Sequence, residues 1–283
     1  MHNRKYHTFI GCDGTYEESE IVLFGTPFDS TTSYRPGARF ASSAIRNESY
    51  SIETYSPYLD RDLTDLKIYD GGDLELSFGN PEKALNVIEN YSAQLLDDGK
   101  LPLMIGGEHL VTLGAVRAAF KKYSQLRILH FDAHTDLRED YLGEKLSHAT
   151  VMRRCWDLVG DDRIFQFGIR SGDRDEFCWA KDHVFMEKFT LNQVGRVVDK
   201  LKDQPVYLTL DLDVLDPSVF PGTGTPEAGG VDFIDLLKMF NQVKGLNLVG
   251  IDMNELCPVY DPSGISTALA CKLLRELILS LDR

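Results

Sequence analysis

Residues 126–136 read LRILHFDAHTD, an apolar run from Leu126 to Leu129 that passes directly into a segment where every second residue, from His130 through Asp132 and His134 to Asp136, is His or Asp. A short apolar run with polar residues gathered just beyond it marks a strand buried in a parallel sheet, whose ligand crevice lies at the carboxyl edge. The same design recurs outward. Leu101 to Ile105 runs into GGEH (106–109), Val206 to Leu210 into Asp211 and Asp213 of LTLDLDVLDP (208–217), and Leu246 to Ile251 into Glu255 of GIDMNELCP (250–258). Ile21 to Gly25, Leu66 to Tyr69, Ile164 to Gly168 and Val184 to Met186 complete eight predicted strands. Amphipathic stretches alternate with them: Phe40 to Asn47, a helix capped at Asn80 with Pro81 in its first turn and stopped at Gly99, Glu108 to Tyr123, His148 to Val159, Leu191 to Leu201, Phe233 to Val243 and Ile265 to Leu281. The alternation predicts an α/β protein of three layers, α/β/α, around a central, mainly parallel eight-stranded sheet. Glu48 to Asp65, Leu137 to Leu146 and Val214 to Gly230 read as irregular, and with no repeat or linker the expectation is one domain over 1–283.

The chain has 283 residues, of which 43% are apolar and 26% charged, values that exclude a disordered polyelectrolyte or a fibrous repeat. Domains near this length bury roughly 75% of their unfolded surface, so a metal would be present for chemistry and not to hold the fold together. With 30 Lys and Arg against 44 Asp and Glu, the net charge of −14 disfavours nucleic acid or an anionic membrane as partner and attracts a small cation. Cys12, Cys155, Cys178, Cys257 and Cys271 are an odd, scattered set without a C-x-x-C pair, which argues against a disulfide framework and a thiolate zinc site. There is no apolar core of signal-peptide length at the start and no run of about 20 apolar residues, so the expectation is a soluble, cytoplasmic protein.

Four strand ends carry the candidate chemistry. In GGEH the two glycines read as a tight turn that sets His109 at the start of a helix, where it is either a packed imidazole or a ligand. If the backbone stays extended past Leu129, then Asp132, His134 and Asp136 point to one side. Carboxylates so crowded repel one another and lose hydration unless a cation joins them. Asp211 and Asp213 share a face as well, either as ligands or as a helix cap, but the glycine and terminal glutamate of an EF-hand are missing; Asp216-Pro217 reads as a turn. Glu255 alone says little. Together, two His and four Asp suit hard divalent ions such as Mn or Mg, and six such ligands suit two ions about 3.5 to 4 Å apart, with shared carboxylates and a bridging hydroxide as nucleophile.

In order along the chain, RPGARF near Arg35, GGEH, DAHTD, SHAT (147–150), DLDVLDP, PGTGTPEAGG from Pro221 and NELCPVYD ending at Asp261 resemble the ureohydrolase family, the arginases and agmatinases, with bacterial agmatinases most alike. The resemblance implies an arginase-like fold and hydrolysis of agmatine to putrescine and urea with two Mn2+ ions. It implies that His109, Asp132, Asp136 and Asp211 hold one ion and Asp132, His134, Asp211 and Asp213 the other, with Asp132 and Asp211 bridging. His148 then corresponds to the histidine that relays protons at the site mouth, Glu255 to the carboxylate that pairs with the guanidinium, and Asp136 to the group that passes a proton to the departing amine. His130 falls in the pattern as a packed neighbour and not a ligand. A homo-oligomer, trimer or hexamer, is also implied.

The substrate is read from the loop after DAHTD. The Asn-containing head-group pattern of arginases is absent from Leu137-Arg138-Glu139-Asp140-Tyr141, which favours amine-ended agmatine. Arg138, if it faces the pocket, instead suits the carboxylate of guanidinobutyrate, guanidinopropionate or formimidoylglutamate. Glu108 stands where relatives often have Asp, Ala149 where they have Gly, and Pro262 where agmatinases have His. Pro221 to Gly230 lacks the Lys-Ser/Thr ending of a phosphate loop and reads as a lid over the pocket. The rival readings are a noncatalytic metal- or polyamine-binding protein and a two-metal phosphoesterase, the latter without an evident basic cluster.

Overall fold

The computed structural model describes residues 8–281. Its strands in chain order are β1 (Ile21–Gly25), β2 (Tyr55–Ser56), β3 (Arg61–Asp62), β4 (Ile68–Asp73), β5 (Leu101–Ile105), β6 (Arg127–Phe131), β7 (Ile164–Ile169), β8 (Phe185–Lys188), β9 (Pro205–Asp211) and β10 (Asn247–Asn254). Eight of them form one sheet in the order β4-β1-β5-β10-β9-β6-β7-β8, and every pairing in it is parallel. The central strands are buried on both faces, which is why they read as continuous apolar runs. β2 and β3 form a separate antiparallel pair inside the stretch expected to be irregular.

Helices cover both faces, as the sequence predicts. On one side lie α2 (Pro81–Asp97), α3 (Thr112–Lys122) and α4 (Val151–Val159), packed through Leu85, Ile88, Val116 and Met152; on the other lie α1 (Ala41–Glu48), α6 (Val194–Leu201), α7 (Phe233–Val243) and α8 (Ile265–Ser280), packed through Ile45, Val197, Phe240 and Leu274. α2 begins as expected: the Asn80 side chain accepts from the Lys83 N–H at 3.0 Å and Pro81 takes the first turn. α5 (Arg174–His183) has no counterpart among the predicted helices, because only Glu176 and Ala180 in it are buried and its apolar stripe is thin. Its start is nevertheless written in the chain as a capping box, with Asp173 accepting from Glu176 N–H and Glu176 accepting from Asp173 N–H. No helix among the described residues is long and apolar enough to cross a membrane.

The register explains where polar residues gather. Ile105, Met253, Leu210 and Phe131 stand in one row across β5, β10, β9 and β6. The next residue on each strand, Gly106, Asn254, Asp211 and Asp132, begins the carboxyl-edge crevice at the middle of the sheet, where open parallel sheets place their ligands.

Candidate metal centre

β6 ends at Phe131, so Asp132 to Asp136 do not alternate as an extended strand. The segment bends at Ala133, runs on with a parallel bridge from His134 to Ser171, and takes Asp136 into the left-handed region at φ 52°; the side chains converge along that irregular path. Asp132 then reaches two groups of ligand atoms, each within 4.8 Å: one with His109, His130 and Asp136, the other with His134 and Asp213. Asp211 joins from the end of β9, its Oδ2 lying 3.3 Å from His109 Nδ1. Its other oxygen accepts from the Asp213 N–H at 2.8 Å, so one carboxylate both caps the 3-10 turn Leu212–Val214 and faces the crevice.

The glycines of GGEH have a different cause from the tight turn expected. Neither adopts a positive φ. A Cβ on Gly106 would lie 1.7 Å from Asn254 Oδ1, and one on Gly107 1.9 Å from the Phe28 carbonyl oxygen, so close packing of β5 against its neighbours demands them. His109 follows and is buried, and its tautomer is fixed by its partners. The Thr209 hydroxyl donates to Asp252 Oδ1 at 2.6 Å, leaving its oxygen to accept from His109 Nε2–H at 2.9 Å. In the neutral ring Nδ1 is therefore the nitrogen that carries the lone pair. It lies 3.0 Å from both Asp132 Oδ2 and Asp136 Oδ2, without a hydrogen bond to anything. Burial opposes a charge on the ring, but the hydrogen-bonding and charges of Asp132 and Asp136 outweigh it and raise His109 well above the ordinary histidine range; a metal ion at Nδ1 would take the place of that proton, and nitrogen with carboxylate oxygen is the donor set of a hard-to-borderline divalent ion.

The electrostatics agree. Burial and the Asp132 charge push Asp136 up to about 7, and burial with the Asp213 and Asp132 charges pushes Asp211 well up. Such carboxylates cannot all ionise together without a positive partner. His130 is not free to ligate: Gln166 donates to its Nδ1 at 2.9 Å and its Nε2–H donates to Asp132 Oδ2 at 2.7 Å, so it steadies Asp132.

His148 and Glu255 adjoin the cluster. Glu255, at φ 66°, is buried and accepts from the His109 backbone N–H at 2.7 Å through Oε1. Burial and the Glu108 charge raise it well above the ordinary carboxylate range. His148 Nδ1 lies 3.8 Å from that Oε1, and burial lowers the ring to about 4. A cleft of about 270 Å³ opens beside them, lined by His134, Asp136, His148, Asp211, Ser33 and Arg138 among others. Arg138 thus faces the cleft, yet its Nε is 3.3 Å from Glu176 and its Nη1 3.6 Å from Asp173. The loop from Pro221 contributes Thr225 to the lining, with Thr225 donating to Asp213 Oδ2 at 3.2 Å.

Sequence reasoning missed Ser33, Thr31 and Thr225, single hydroxyls in loops with no periodicity; only their places inside quoted motifs or beside RPGARF marked them. It noted Glu108 only as a departure from relatives and gave it no role; the residue is buried, pushed up to about 7 by burial, and accepts from Thr31 and Thr32.

The arginase family model matches residues 19–280. The agmatinase of Bacillus subtilis (strain 168) is 48% identical over 275 residues, covering 96% of this chain and 95% of its own. A solved structure from Clostridium difficile is 54% identical with a TM-score of 0.92, over 94% of this chain and 98% of its own. The agmatine ureohydrolase of Thermoplasma volcanium is 35% identical with a TM-score of 0.89, over 97% and 94%. Sheet, crevice and likeness agree, and this chain belongs to the arginase family.

Proposed function

We propose that the protein is an agmatinase that hydrolyses the guanidinium group of agmatine to putrescine and urea at a pair of manganese ions. The observation that carries the reading is the convergence of His109 Nδ1, buried and without a hydrogen-bond partner, with Asp132, Asp136 and Asp211 oxygens, Asp132 being shared by both groups of candidate ligand atoms. His109, Asp132, Asp136 and Asp211 would hold one ion and Asp132, His134, Asp211 and Asp213 the other. Bound there, the two cations would bring the pKa of a water between them from near 16 toward roughly 7, supplying a nucleophile at neutral pH.

The chain's own residues do the rest. A guanidinium carbon is a poor electrophile because its charge is delocalised, so its plane must be held against the attacking oxygen. Glu255, whose carboxyl burial and the Glu108 charge raise well above the ordinary range, gains a cationic partner when a guanidinium pairs with it, which favours its anionic form. The water oxygen bonds to carbon, the bond from carbon to the chain nitrogen breaks, and the departing amine gains two protons in place of the two the water loses. Asp136 passes one of them, and His148 serves the other.

Agmatine is favoured by the cleft mouth. Arg138 sits between two carboxylates of the same chain, Glu176 and Asp173, so the trio carries a net negative charge and recruits an ammonium in preference to a carboxylate. The whole chain, 1–283, would act as one ureohydrolase domain, cytoplasmic in location, assembled as a trimer or hexamer; five unpaired cysteines and the family relationship support this.

Urea release by the manganese-loaded protein, compared across agmatine, arginine and guanidinobutyrate, tests the reading. Agmatine is expected to have the highest kcat/KM. A preference for guanidinobutyrate would assign the carboxylate-ended class instead, and tight agmatine binding without urea would make the protein a noncatalytic binder.

A further inference from the structure

His148 is gripped from both ends by one loop. Its backbone N–H donates to Thr31 Oγ1 at 3.1 Å, and Thr31 in turn donates to buried Glu108. At the ring, the Ser33 backbone N–H donates to Nε2 at 3.1 Å, and Ser33 Oγ lies 2.9 Å from the same nitrogen. A backbone N–H can only donate, so Nε2 is the unprotonated nitrogen and the ring proton sits on Nδ1, the atom turned toward Glu255. Ser33 is exposed and lines the cleft, whereas His148 is buried.

We propose that Ser33 is a positioning residue that acts through His148: it fixes the Nδ1–H tautomer and refills the ring from solvent during turnover. This rests on the hydrolysis proposed above. The balance is simple. When the attacking water ionises, one proton leaves to solvent; the amine must recover it. His148 gives its Nδ1 proton to the amine nitrogen while Nε2 takes the Ser33 hydroxyl proton, and Ser33 takes one from solvent at the cleft mouth; water in the cleft then returns a proton to Nδ1 as Nε2 passes its own back through Ser33 to solvent, which restores the resting tautomer. The imidazole stays neutral throughout. That suits a ring held near 4, of which only about one in a thousand is protonated at neutral pH.

Ser33→Ala keeps the backbone donor and removes the relay. In manganese-loaded enzyme it is expected to lower kcat for agmatine about tenfold with KM within about twofold, and Ser33→Thr to restore kcat. In a His148→Gln background the same Ser33→Ala change should cause no further loss. Wild-type kcat in Ser33→Ala, or an equal tenfold loss in the His148→Gln background, would overturn the proposal. Wild-type urea release in the same assay reports on the hydrolase reading separately. The tautomer is read without turnover, from imidazole 15N resonances of magnesium-loaded protein assigned with His148→Gln: Nδ1–H is expected, and Nε2–H overturns the inference.

Discussion

Asp132 carries more of the centre than any other side chain. It touches His109 and His130, lies 3.5 Å from His134 Nδ1, and belongs to both ligand groups. Asp132→Asn should therefore abolish urea release and sharply reduce manganese content by metal analysis, and Asp211→Asn should do the same; full activity in either variant would remove the two-ion reading. His148→Ala should slow turnover while manganese is retained, since no ligand atom is lost. Glu255→Gln keeps the shape and removes the anion, so guanidinium binding or attack should suffer, read as a fall in kcat/KM with manganese content unchanged. At this scale the sequence was legible where chemistry demands a residue type at a strand end: each of the six proposed ligands lies at the crevice. It was illegible where a side chain works through geometry alone. Nothing in the letters RPGARF or STTS shows that Ser33 meets His148, 115 positions away.

The central strands were legible because burial on both faces leaves an apolar run, and each of the eight predicted runs, the half-exposed edge strands β4 and β8 included, overlaps a strand of the sheet. The loops between were not, since a bend such as that at Ala133 or the positive φ of Asp136 is decided by tertiary contacts and not by local preference. Gly107 tests the packing of the β5 turn: with Phe28 oxygen 1.9 Å from the added Cβ, Gly107→Ala should destabilise by about 1–3 kcal/mol, a drop in thermal midpoint of several degrees. The loop after β9 offers a test by pH. Asp216 accepts from the Ser218, Gly229 and Gly230 N–H groups, and those bonds, the Ser218 contacts foremost, hold its carboxyl below the usual range. A depressed folded pKa gives stability that is present above about pH 4 and lost as pH falls further. The thermal midpoints of parent and Asp216→Asn should therefore differ at neutral pH and converge on acidification; a constant gap would refute the charge's role.

Across the whole molecule, the proposed ligands come from the ends of three strands, from His109 after β5 through the segment after β6 to Asp213 after β9, so ions that bind only the assembled crevice must stabilise the complete fold. At a hundredfold excess over Kd one such ion adds about 2.7 kcal/mol. Manganese should accordingly raise the thermal midpoint of the parent and leave Asp132→Asn nearly unmoved. The order of the sheet has a consequence for biogenesis. β10 lies between β5 and β9, both made before it. Until that last strand emerges from the ribosome, the nascent sheet exists as two halves, each presenting a raw backbone edge at its heart. Truncation before Asn247 should thus yield sticky, chaperone-dependent halves, and the interval before the final insertion is when newly made chains are most open to aggregation.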